Sequence, residues 1–339
     1  LGGQAGAGAI ADILIGKINP SGKLAETFPI RLEDNPSHHY FPMGPGTVEY
    51  RESIFVGYRY YEKVGQDVLY PFGHGLSYTR FEYRDLQLNH TQISAHDPLT
   101  ISLKVKNTGE VPGKEVVQVY VRAVESEVFR PEKELKGFTK VSLQPAEERE
   151  IVIELNQRAF SYFDTRLDGW LVEPGIYKIL VGASSRDIRL QANLEVTASQ
   201  PAESGVGREH IGAYFNFPRG AAISQDDFAA LLGKPIPENE IPAKGDYTLN
   251  TPVGDMRESF IGRQLYRFME GQIGKMIDGQ EGTPTAYLMQ AMVREMPLRS
   301  MLMMGEGPFN RQMLEALLTM INGHFFKGLF AFAGAAIRK

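Results

Sequence analysis

The stretch from Thr100 to Val196 restricts the architecture most, because its apolar residues recur with a period of two rather than 3.6. Thr100-Ile-Ser-Leu-Lys-Val-Lys106 alternates strictly and stops at Asn107-Thr-Gly109, a turn composition. Further runs follow at Glu115–Arg122, Leu135–Leu143, Arg149–Leu155, Gly175–Gly182 and Ile188–Val196. Successive side chains on a strand point to opposite faces, so such runs bury one face and wet the other. Short strands broken by turns at regular spacing predict an antiparallel β-sandwich over residues 82–198. Trp170, the single tryptophan, stands just before Val172-Glu-Pro-Gly175 and is expected to anchor packing rather than to serve as a sugar platform.

The residues ahead of the sandwich read differently. Ala9, Ile10, Ile13 and Leu14 recur at helical spacing, and Gly16 is placed to end that helix. Asn19-Pro-Ser-Gly22 is a turn, and Leu24–Phe28 a short strand stopped by Pro29. Gly3, Gly6 and Gly8 do not make a dinucleotide loop: no strand precedes them and their spacing departs from G-x-G-x-x-G. Residues 31–69 are loop-rich. Glu52 and Arg59 are their notable charges, and Tyr50, Tyr58, Tyr60 and Tyr61 form an aromatic patch. Two readings of that patch stand. Aromatic faces stack on sugar rings, which makes Tyr50, Glu52 and Arg59 candidate substrate-binding residues. In the preferred structural reading, Glu52 and Arg59 form an ion pair and the tyrosines line the core. His38 and His39 are adjacent, so on an extended chain they point opposite ways and make a poor metal pair; no metal site is expected.

Tyr70-Pro-Phe-Gly-His-Gly-Leu-Ser-Tyr-Thr-Arg-Phe81 reads as the joint between these two parts. Pro71 restricts Tyr70 to extended geometry, and Gly73 and Gly75 are expected to supply positive φ on both sides of His74.

Beyond the sandwich, Ala198–Gly207 is a small, polar linker, and residues 199–252 are expected to be linker with one short helix. Ser224-Gln-Asp-Asp-Phe-Ala-Ala-Leu-Leu-Gly233 carries a Ser N-cap, first-turn aspartates and a terminal glycine, the signature of that helix. Residues 253–339 hold 11 of the 12 methionines and predict helices near 255–277, 285–304, 309–322 and 325–337, a small bundle suited to pack on another domain or a second copy of the chain.

Composition narrows the function. A net charge of −5 with no basic stripe argues against nucleic acid, whose binding is driven by phosphate neutralisation. The absence of cysteine excludes disulfides and cysteine nucleophiles and is compatible with a reducing cytoplasm. No apolar stretch reaches the length of a transmembrane helix, so no membrane partner is expected. No cofactor motif is present.

Three segments resemble glycoside hydrolase family 3, the β-glucosidase and β-xylosidase group. GQAGAGAIADILIGKINPSGKLAETFP follows the family's GQ-x-GG…NPSG-[RK]-L-x-x-TFP pattern, with Ala7 breaking the usual glycine pair; YRESIFVGYRYY follows Y-x-EG-x-x-VGYR-[YW], with Ser53 in place of a common glycine; YPFGHGLSYTRFEY resembles the family's interdomain joint. NTGEVPGKEVVQVYV, RPEKELKGFTKVSL and EPGIYKILVGASSRDI resemble its fibronectin III-like domain. The resemblance implies an α+β multidomain chain. Residues 1–81 would be the truncated C-terminal part of an α/β sandwich domain, 82–198 an immunoglobulin-like (fibronectin III-like) sandwich, and 253–339 a helical extension. It also implies a retaining β-glycosidase of a bacterial cytoplasm, acting on oligosaccharides or β-glycosides. The aspartate nucleophile and glutamate acid/base are both expected upstream of Leu1, the nucleophile in an N-terminal barrel, so the fragment alone is expected to be inactive. The rival readings are a non-catalytic carbohydrate- or protein-binding module built on the sandwich and, more weakly, a nucleotide-binding enzyme.

Overall fold

A computed structural model describes residues 3–41, 47–165, 167–197, 208–303 and 310–337. The chain separates into two compact units, Leu1–Phe41 with Glu49–Ile236, and Pro42–Val48 with Pro237–Lys339.

The first unit opens with helix α1 (Gly6–Leu14), which buries none of its residues. Strand β1 (Phe28–Pro29) is shorter than the expected Leu24–Phe28 and includes the proline that was to stop it. The reason is its partner: β1 pairs only with β2 (Val68–Tyr70), and so short a ladder leaves the Pro29 nitrogen nothing it must donate to. Within the stretch expected to be loop lies helix α2 (Tyr58–Lys63), whose Tyr60 and Tyr61 are buried. Tertiary burial outweighs the modest helix propensity of its tyrosines.

The sandwich is complete. Strands β3 (Phe81–Leu88), β4 (Gln92–Ser94), β5 (Leu99–Asn107), β6 (Gly113–Ala123), β7 (Glu134–Leu143), β8 (Glu148–Leu155), β9 (Ser161–Asp164), β10 (Gly169–Val172), β11 (Gly175–Gly182) and β12 (Ile188–Thr197) follow in order. One sheet runs β4-β12-β11-β6-β7 and the other β3-β5-β8. All pairs are antiparallel except the short β12–β4 contact. On β5, Leu99, Ile101, Leu103 and Val105 are fully buried while the residues between them are half-buried, the alternation read from sequence. Those side chains meet Val117, Val119, Ile179, Val181 and Leu194 of the opposing sheet in one continuous core. Trp170 lies on the β9–β10 hairpin outside the two main sheets, packed on Phe163 and Arg158 and 43% exposed.

The expected linker Ala198–Gly207 lies outside the described residues. From Arg208 onward the chain is no spacer. Ile211, Tyr214, Phe215, Phe217 and Ile223 are buried, and Phe217 meets Phe55 and Tyr60 while Tyr214 meets Phe129. Helix α3 (Gly212–Phe215) carries two of these residues. Helix α4 (Gln225–Leu232) has the expected ends: the Ser224 hydroxyl accepts from Asp227 N–H, and Gly233 takes the left-handed conformation.

The second unit holds helices α5 (Phe260–Met276), α6 (Pro284–Glu295), α7 (Arg311–Ile321) and α8 (Phe325–Ile337). The expected 285–304 helix is divided. α6 ends before Pro297, and a 3-10 turn, Leu298–Met303, follows; position 304, and the expected start at 309, lie outside the described residues. Thr283 and Asn310 cap α6 and α7 through their side chains. The core gathers Tyr247, Val253, Met256, Leu298, Leu314, Leu317 and Ile321. The Asn322 side chain ties to both backbone groups of Tyr247 at 3.0 and 2.9 Å.

Candidate functional site

Tyr50, Glu52 and Arg59 belong to one short run of chain, yet they end in three different surroundings. Tyr50 projects outward, 71% exposed. Glu52 turns inward to 5% exposure, and its Oε2 has no hydrogen-bond partner among the described residues. Burial raises its carboxyl pKa above the usual glutamate range. Arg59, on α2, pairs with Glu134 of β7 at 3.1 Å. The expected Glu52–Arg59 ion pair is therefore absent: Arg59 finds its carboxylate 75 residues away in sequence, across the sandwich. The expectation that the tyrosines line the core holds for Tyr60 and Tyr61 and fails for Tyr50.

The backbone explains why Glu52 points inward. Ser53 follows it with φ +52°, a left-handed conformation that a non-glycine residue adopts at a cost. The turn is held from outside itself: Tyr214 Oη donates to Arg51 O at 3.0 Å, and an Arg51 guanidinium N–H donates to Ile223 O at 3.0 Å. The Tyr40 hydroxyl also accepts from Ile223 N–H.

The joint at Tyr70–Phe81 is a clamp between the residues ahead of it and the sandwich. Gly73 N–H donates to Leu24 O and Leu24 N–H donates to His74 O, each at 2.8 Å. Gly73 has the expected positive φ, +79°, and its missing Cβ makes room for the Gln118 side chain. Gly75 does not have positive φ; it is needed because a Cβ there would strike Gly22 O. Gln118, on β6 and buried, donates to Gly73 O at 3.1 Å and Ala183 O at 2.7 Å. From the Asn19-Pro-Ser-Gly22 turn, Asn19 Oδ1 accepts from Tyr78 N–H at 2.8 Å while its Nδ2 donates to Pro112 O at 2.9 Å. His74 stacks on Tyr70 with ring centroids 5.2 Å apart. Close by, Asp187 is held below the usual carboxylate range by hydrogen bonding to Arg189.

Among the described residues no group of three or more His, Asp or Glu side chains is arranged to hold a metal ion. None of their helices is long and apolar enough to cross a membrane. Of the buried or half-buried glutamates here, Glu52 is walled in, and Glu134, Glu173 and Glu115 are each engaged by a cation.

Comparison with known proteins supplies what this geometry lacks. Residues 1–78 match the profile described as "Glycosyl hydrolase family 3 C-terminal domain", and residues 115–185 that described as "Fibronectin type III-like domain". The thermostable beta-glucosidase B of Acetivibrio thermocellus is 39% identical over 327 residues, 95% of this chain and 37% of that protein. The probable beta-glucosidase K of Emericella nidulans is 47% identical over 197 residues, 58% of this chain and 23% of that one. In the crystal structure of a Bifidobacterium adolescentis GH3 beta-glucosidase, 40% identity accompanies a TM-score of 0.55 over 64% of this chain and 32% of that one. The chain thus spans between about a quarter and two-fifths of the length of these relatives.

Proposed function

We propose that the chain is the C-terminal portion of a glycoside hydrolase family 3 enzyme, a retaining β-glucosidase that removes terminal β-linked sugars from oligosaccharides or glycosides. Retaining hydrolysis needs two carboxyl groups about 5 Å apart, one as nucleophile and one as acid/base. In this reading neither is supplied by the 339 residues. Glu52 is buried, and Glu134 and Glu173 are each paired with an arginine. The role of this chain is to cap the catalytic half and brace it. The joint ties the α/β part to the sandwich, and the turn carrying Tyr50 and Glu52 is fixed from behind by the strap of residues 208–223. The observation that carries the reading is the match of residues 1–78 to the family's C-terminal domain combined with partial coverage of the β-glucosidase relatives.

An assay with an aryl β-glucoside tests it. The 339-residue chain alone should give no turnover. The same chain fused behind a family 3 barrel and the first half of an α/β sandwich domain should hydrolyse the substrate with retention of anomeric configuration. Turnover by the chain alone, or inversion by the fused enzyme, overturns the proposal.

A further inference from the structure

Helix α8 hides its small residues and shows its large ones. Gly328 and Ala335 are buried, whereas Phe326 and Phe330 stand 73% and 75% exposed and Ile337 stands 85% exposed. Its inward side is set by α7. A Cβ on Gly328 would meet Ala316 O at 2.7 Å and Met320 N at 2.8 Å, and Asn310 Nδ2 donates to Ala335 O at 3.4 Å. Phe332 turns the same way, against the core of the unit. With 3.6 residues per turn, the opposite face carries Phe326, Phe330, Ala333 and Ile337, spaced four, three and four residues apart. That is the spacing of a helix–helix seam, and α8 leaves it in solvent.

The stripe needs cover. With Leu329 alongside, its exposed apolar area is about 500–600 Å², the upper end of what a monomer leaves bare. A standard protein–protein interface takes roughly 800 Å² from each partner, so this one helix face supplies most of a stable contact. Charge selects the occupant. Lys327 is the one charged residue of Phe325–Ile337, and it lies off the stripe. A helix lying on a membrane carries Lys and Arg opposite its apolar face, but here that side is taken by α7. A two-fold contact brings a patch against itself, so any charge near its centre would meet its like; a charge-free face suits that symmetry. Size fits as well when two such helices run antiparallel about an axis between Phe330 and Ala333. Each Phe330 then lies against Ala333 of the second copy, a ring over a gap, and each Phe326 against Ile337.

We propose that the α8 face of Phe326, Phe330, Ala333 and Ile337 is a self-association surface, on which two copies of the chain pair through antiparallel α8 helices.

Sedimentation equilibrium of the 339-residue chain should give twice the monomer mass, with reversible dissociation on dilution. Phe330→Glu places a charge in the seam and should raise the dimer dissociation constant by about tenfold or more. Ala333→Phe separates a fitted seam from general stickiness. It adds apolar surface yet fills the gap that receives Phe330, so it too should weaken the dimer. Both positions are exposed, and an unchanged helical circular dichroism signal shows that each variant folds. Should Phe330→Glu misfold, Phe326→Glu takes its place. Leu14→Glu, on the exposed helix of the first unit, should leave the dimer intact. A chain that is monomeric at every concentration overturns the proposal, as does a dimer untouched by Phe330→Glu, tightened by Ala333→Phe or lost in Leu14→Glu. A wild-type monomer that sediments with phosphatidylserine vesicles would make α8 a membrane-surface helix and overturn it equally.

Discussion

Helix α1 and strand β5 are both rich in aliphatic side chains, yet α1 buries none of its residues while β5 hides its Leu99, Ile101, Leu103 and Val105 completely. The difference lies in their neighbours. β5 has a paired strand on each side and a second sheet across from it. α1 has no such cover: a helix face is hidden by packing against a sheet or other helices, and the described residues ahead of Phe81 provide no sheet beyond the two-stranded β1–β2 pair. A sequence pattern specifies which face seeks burial; whether that face finds cover depends on the rest of the layer.

Four measurements would break or sharpen this contrast. The largest effect should come from paired truncations. Leu103→Ala opens a cavity in a closed core and should cost about 2–5 kcal/mol in chemical denaturation, whereas Leu14→Ala on α1 should stay within about 0.5 kcal/mol. Comparable losses would mean that α1 is covered in solution. Next comes the clamp between the two parts. Gln118→Ala leaves the Gly73 and Ala183 carbonyls without their donor and should cost about 1–3 kcal/mol. A loss no larger than that of Val152→Ala on the exposed face of β8 would show that the clamp is idle. A smaller change, of opposite sign, is expected at the Glu52 turn: Ser53→Gly relieves a left-handed φ and should raise stability by up to about 1 kcal/mol, read as a higher Tm.

The subtlest effect is pH-bound. The raised Glu52 pKa means that the folded state favours the protonated carboxyl. Its destabilising contribution is absent below the ordinary glutamate range and grows as pH rises through the raised value. Glu52→Gln should therefore gain on the wild type as pH rises from 5 to 8, and a gap that does not change with pH would contradict the burial argument.

The sandwich was legible from sequence because period-two alternation is local: β11 and β12 start where the apolar runs do, and β5 extends one residue beyond its run at each end. α4 was legible because Ser224 and Gly233 announce both ends. β3 was not singled out, since a bulge with Asp85 at positive φ interrupts its alternation. The candidate site was legible only as a list of residue types. Glu134 as the partner of Arg59, and Tyr214 and Ile223 as supports of the Glu52 turn, lie far along the chain, and no local pattern reveals such pairings. The exposure of Trp170 was not legible for a related reason: it packs on Phe163 and Arg158, but the hairpin's place outside the main sheets leaves it partly in solvent.

The amide of Gln118 bears on how such proteins can be assembled from parts. It is anchored in the middle of a sandwich strand, yet one of its two acceptors, Gly73 O, lies outside the sandwich. A sandwich excised at Phe81 and transplanted behind another domain would carry that amide without its Gly73 acceptor, and Gly73 itself, the residue that leaves room for the side chain, would stay behind. The boundary visible in the strand pattern is thus not the boundary of an interchangeable cassette. A viable exchange between related enzymes would have to be cut upstream of Asn19, so that the turn, the joint and the sandwich travel together.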